Sequence, residues 1–80
     1  MAVIVHKDAQ ASLEKMVEPE LVKHFLQRLE TYPAIRGDHQ ELDPQGRPIQ
    51  VKVLKRHAVL YYNDPFANET RVLDVVHVER

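Results

Sequence analysis

The chain contains no cysteine. That excludes a disulfide framework, a thiolate metal site and a cysteine nucleophile together. Serine occurs once, as Ser12, with no motif around it, which leaves no basis for a serine triad. No apolar run approaches the roughly 20 residues needed to span a bilayer. The opening Ala2-Val3-Ile4-Val5 gives way to His6, Lys7 and Asp8 too soon to resemble a signal peptide. The expectation is a cytoplasmic protein with no membrane contact. Net charge is small as well, −1 over 80 residues, whereas small nucleic-acid-binding domains are more often basic. One absence is local. No acid lies between Asp43 and Asp64, while Arg47, Lys52, Lys55 and Arg56 all fall inside that interval. Positive charge is thus concentrated in one stretch of a nearly neutral chain.

Eighty residues make one domain, 1–80. Ala2–Val5 predicts a short strand, too apolar to be solvated on both faces. Asp8 is placed as the N-cap of a first helix, with Ala9, Leu13 and Met16 on one face. Val17-Glu18-Pro19 interrupts it, and Pro19 suits the first position of a second helix. There Leu21, Val22, Phe25, Leu26, Leu29 and Tyr32 form an amphipathic stripe, ended by Pro33. Residues 33–48 hold three prolines and both glycines and read as an extended loop, with Ala34–Ile35 and Leu42 pinned on the core. Within it Asp43-Pro44-Gln45-Gly46 fits a β-turn. Ile49–Asn63 and Arg71–Val78 are β-rich, and the polar knuckle Lys55-Arg56-His57 splits the first run, giving a three-stranded meander. Ala58–Tyr62 is apolar on both faces, as a central strand requires. The fold class is therefore α+β: a short N-terminal strand and a two-helix hairpin packed on an antiparallel sheet of about four strands, in the order β-α-α-β-β-β.

This order carries a particular set of residues. Gly37 to Leu42 reads G-x-x-x-x-L, followed by a turn, IQVKVLKRHAVLYY, a second turn and RVLDVVHVER. Together with the opening strand and helices from Val3 to Leu29, the chain resembles the RelE/ParE superfamily of toxin–antitoxin toxins over nearly its whole length. The segment Val59-Leu60-Tyr61-Tyr62 and the ending Val75-Val76-His77-x-x-Arg80 are the most diagnostic pieces. The resemblance implies a toxin neutralised by a cognate antitoxin. RelE-like members cleave mRNA in the ribosomal A site, and ParE-like members poison DNA gyrase. It leaves two readings open: a ribosome-dependent endoribonuclease, or a non-enzymatic gyrase binder or catalytically degenerate member. By position, Lys52, His77 and Arg80 match residues that carry catalysis in RelE-like proteins. Arg47, Lys55, Arg56 and His57 are the candidates for RNA and phosphate binding. Where an arginine usually precedes the third strand's apolar triplet this chain has Ala58, with Arg56 and His57 the nearest substitutes, and no terminal helix carries a late tyrosine.

Each candidate also has a simpler reading. Lys52, Lys55 and Arg56 serve equally as charged protection of a hairpin, and His77 as a strand histidine bonded to a carbonyl. Tyr61 and Tyr62 point to opposite faces, so one belongs to the core and either could stack a base. Asp74, alone in an apolar strand, is positioned to pair with Lys52 or Arg56 across the sheet. Five histidines invite a metal site, with Glu20/His24 and His77/Glu79 as close pairs, but none matches a ligand signature. No metal or cofactor is expected, and a homodimer is left open.

Overall fold

The computed structural model describes residues 2–78. Its elements are β1 (Ala2–Val5), α1 (Lys7–Lys15), α2 (Glu20–Thr31), β2 (His39–Leu42), β3 (Pro48–Leu54), β4 (His57–Asp64) and β5 (Glu69–His77). The strands form one sheet in the order β1-β5-β4-β3-β2. The three expected meander strands are present, and the run that is apolar on both faces, β4, is central. The sheet differs from expectation in two ways. It has five strands rather than four, and β1 joins β5 in parallel, so the sheet is mixed rather than antiparallel. From β1 the chain passes through both helices to β2 at the opposite edge and returns through β3 and β4, so that β5 arrives beside β1 and parallel to it.

The fifth strand, β2, falls inside the stretch expected to be loop. All four of its residues are exposed, so it carries no apolar alternation that periodicity could detect. It is held by its ladder to β3, His39 opposite Val51 through Leu42 opposite Pro48. Leu42 is therefore solvent-facing at 72% exposure rather than pinned on the core. Ala34 is exposed too, and only Ile35 packs against the core. The turn at 43–46 forms as expected. Gly46 N–H donates to the Asp43 carbonyl at 2.9 Å, and Gly46 takes a left-handed φ of 81°. The Asp43 carboxylate accepts from the backbone N–H of Gln45 and of Arg47.

Both helices lie on one face of the sheet. Ala9 of α1 and Val22, Phe25 and Leu29 of α2 pack with Val59, Tyr61, Val72 and Val75. The Phe25 and Tyr61 rings meet edge to face at 5.5 Å. The N-cap of α1 is His6, not Asp8: His6 Nδ1 accepts from the Asp8 N–H at 3.3 Å. Asp8 sits in the first turn instead, where its charge still suits the helix dipole. Pro19 is the N-cap of α2 rather than its first residue, and its carbonyl accepts from Lys23 N–H. The stripe on α2 is buried at its centre and exposed at its ends, Leu21 and Tyr32. Segment 33–38 then crosses the β3 side of the same face. Tyr61 Oη donates to the Ile35 carbonyl at 2.7 Å, and Gly37 N–H to Gln50 Oε1 at 2.9 Å.

A break in register on β5 decides which side chains face the helices. Tyr61 pairs with Val72 but Leu60 pairs with Asp74, so Leu73 is an extra residue, a β-bulge. Before it Thr70 and Val72 face the helices. Beyond it Val75 and His77 do, while Asp74 and Val76 turn to the open face. Asp74 therefore does not pair with Lys52 or Arg56. Its carboxylate accepts from the next backbone N–H, that of Val75, at 2.8 Å.

Candidate functional site

Positive charge, histidine and concavity meet at one end of the sheet. The β3–β4 hairpin closes through a two-residue loop, Lys55-Arg56, with Leu54 and His57 directly opposite. Lys55 adopts φ 55°, the left-handed region usually left to glycine or asparagine in such loops. The Val78 N–H donates to the Arg56 carbonyl at 2.6 Å, which ties the loop to the end of β5. His57 then lies directly across the β4–β5 ladder from His77. Their rings stand 5.4 Å apart between centroids at an interplanar angle of 79°. His57 is half-buried and His77 exposed.

These residues border a cleft of about 780 Å³. Its sheet side is Leu54, His57, Val75 and His77, and its other wall is the end of α1, the connection between the helices and the start of α2, including Met16 and Leu21. α1 ends at Lys15 and α2 starts at Glu20, and Met16, Val17 and Glu18 of the connection between them border the cleft. Lys15, Lys55 and Arg56 supply three cations along its edges, and Glu18 and Glu20 two acids, so its electrostatic balance is only mildly positive. Apolar walls beneath a cationic rim suit a ligand with a flat or apolar body and an anionic end.

The sequence candidates divide into three places. Lys55, Arg56, His57 and His77 gather at the cleft. Lys52 lies on the same sheet face one pair further in, opposite Val59, but does not line the cleft. Its ammonium lies 3.5 Å from Asp38 Oδ1. The Asp38 carboxyl is held below its ordinary value, first by the Val53 N–H it accepts at 2.7 Å and then by Lys52. Arg47 is at the far end of β3. Its Nε donates to Asp43 Oδ2 at 2.9 Å and its guanidinium covers the Tyr62 ring at 4.1 Å. Tyr62 is thereby buried beneath Arg47, and Tyr61 is the core tyrosine, so both rings are packed and lie on opposite faces. Arg80 lies outside the described residues.

Lys15, Met16 and Leu21 were not singled out by sequence reasoning as parts of a site. The Val17-Glu18-Pro19 break was the available signal, since an interrupted helical hairpin leaves a gap above the sheet. Among the described residues, no group of three or more histidine, aspartate or glutamate side chains is gathered to hold a metal ion, and no helix is long and apolar enough to cross a membrane. No protein-family model matches the chain, and no curated protein matches it.

Proposed function

We propose that the chain is a RelE/ParE-like toxin that cleaves RNA by metal-independent phosphoryl transfer, using the histidine pair at the cleft. The observation that carries this reading is the pairing of His57 with His77 beside Lys55 and Arg56. Strand cleavage by an internal ribose needs a base to take the 2′-OH proton as the oxygen attacks phosphorus. It needs an acid to protonate the departing 5′-oxygen, and cations for the charge on the phosphorane. Two adjacent imidazoles supply the proton transfers, one as base and the other as acid. Lys55 and Arg56 supply the positive charge. The P–O2′ bond forms as the P–O5′ bond breaks, leaving a 2′,3′-cyclic phosphate and a 5′-hydroxyl. In this assignment His57 takes a part that the resemblance gave only to phosphate binding. Lys52, engaged with Asp38, is a secondary contact rather than the principal base.

The ribosome supplies the mRNA in this reading, which accounts for a cleft whose own charge is too low to capture RNA alone. The partner it entails is a cognate antitoxin. A second reading, a ParE-like gyrase binder or degenerate member, is favoured by the engagement of two expected cations elsewhere, Lys52 by Asp38 and Arg47 by Asp43.

Induction of the protein in a bacterial host, with mapping of RNA ends, separates the two. The nuclease reading predicts growth arrest with new 5′-hydroxyl ends. His57→Ala and His77→Ala should each lower cleavage by about 100-fold or more, and Lys52→Ala should lower it by less. Arrest without new ends moves the assignment to a bound target such as gyrase, and no arrest moves it to a degenerate member.

A further inference from the structure

The same two imidazoles have a capacity that does not depend on RNA. We infer that His57 and His77 form a two-histidine chelate for a late first-row divalent cation of the Zn²⁺, Ni²⁺ and Cu²⁺ class. They are direct cross-strand partners on one face, the arrangement in which side chains stand closest across a ladder. A metal bonded to two imidazoles at about 2.0–2.1 Å places their ring centroids roughly 4.5–5.2 Å apart for N–metal–N angles between about 90° and 109°. The observed separation is 5.4 Å, so the backbone already holds the rings at close to the chelating distance. Turning one nitrogen of each ring toward a shared ion requires side-chain rotation, and the terminal torsion of histidine is broad and soft. His77 is exposed and has room to turn.

Imidazole nitrogen selects the class of ion, because borderline metals prefer it while Mg²⁺ and Ca²⁺ prefer oxygen. Two protein nitrogens leave the other positions to water, which the open cleft admits. Glu18 and Glu20 also border that cleft. With no third donor in place among the described residues, the site is a modest, exchangeable one rather than a structural centre. The other histidines give the comparison. His6 and His39 each face a single carboxylate, Asp8 at 3.6 Å and Glu41 at 3.5 Å, so they lack a second nitrogen. One consequence rests on the nuclease reading above: a bound cation would occupy the nitrogen lone pairs that proton transfer requires, and the metal would inhibit cleavage. The chelation itself stands apart from that reading.

The test is a Zn²⁺ titration of the intact chain, followed by the ring resonances of all five histidines in NMR and by thermal melting, with a chelator to reverse the effect. The expected result is saturable perturbation of the His57 and His77 rings together, with a rise in melting temperature. His57→Ala and His77→Ala should each weaken binding by at least about tenfold, while His24→Ala should leave it unchanged. The inference is overturned if Zn²⁺ perturbs His6, His24 or His39 ahead of the pair, or no ring at all. Binding as tight as wild type in both alanine variants also overturns it. The wild-type spectra decide the matter even if a variant fails to fold. Failure of RNA cleavage in the induction experiment leaves these outcomes untouched, so the two ideas fail separately.

Discussion

Gly37 is where backbone meets backbone. A Cβ added there would lie 2.5 Å from the Val51 carbonyl oxygen and 2.7 Å from Val51 C and N. None of these atoms is the movable end of a side chain, so Gly37→Ala must push segment 33–38 off β3. The expected cost is about 1–3 kcal/mol, read as a lower urea midpoint, and an unchanged midpoint would refute the close approach. Tyr61 shows a second constraint at this scale. Its hydroxyl donates to Ile35 and is pushed up to about 12, first by burial and then by the charge of Asp38. A folded-state value above the ordinary 10.0 means the tyrosine's contribution is intact below pH 10 and lost as pH rises from 10 to about 12. Tyr61→Phe should cost about 1 kcal/mol at neutral pH and flatten the fall in stability across that alkaline window. The comparison with wild type by denaturant titration isolates this residue from the lysines that titrate in the same range.

At the scale of elements the β3–β4 hairpin is the informative case. Lys55 holds a left-handed conformation that costs an ordinary L-residue roughly 1–2 kcal/mol, part of which glycine recovers while losing more chain entropy. Lys55→Gly should therefore raise stability by about 0.5–1 kcal/mol and, under the nuclease reading, lower RNA cleavage. A variant that is more stable and less active would place the lysine at that loop for its charge rather than for its conformation. If Lys55→Gly leaves cleavage unchanged, Lys55 has no part in the chemistry. The helices and the three long strands were legible because their apolar spacing has a clear period, as in the Val22-Phe25-Leu29 stripe of α2. The edge strand β2 was not, because His39-Gln40-Glu41-Leu42 buries nothing. Only hydrogen bonds to β3 make it a strand. The helix starts were displaced by one or two residues for a related reason. His6 and Pro19 cap by local geometry that the more familiar capping residue, Asp8, obscures.

For the whole molecule, a single layer of helices packs on one face of a five-stranded sheet, and Ile49, Val51, Ala58 and Tyr62 are buried on the other. Burial is concentrated on β4 and β5, and falls away toward β2. Native-state hydrogen exchange should follow that order. Amides of Val59, Tyr61 and Val72 should exchange only on global unfolding, and those of Gln40 and Leu42 by local fraying. Protection of β2 equal to that of β4 would mean that something covers this edge in solution.

The amino-acid sequence determined the composition of this protein's parts. The helical stripes, the turn at 43–46 and the apolar central strand follow from side-chain period and turn chemistry, which are local properties. So does the concentration of positive charge near the β3–β4 hairpin, which pointed to Lys55 and Arg56, whereas His57 and His77 became candidates through the resemblance to RelE-like proteins. Which of them meet was decided only by the tertiary structure. The bulge at Leu73 inserts one residue into β5, and a one-residue slip exchanges the two faces of a strand. Without it Asp74 and Val76 would face the helices, and His77 would lie on the open face away from His57. With it, Val75 completes the core and His77 stands across from His57 at the cleft. Strict alternation cannot reveal such a shift, because the bulge is set by pairing with β4, a contact between residues distant in sequence.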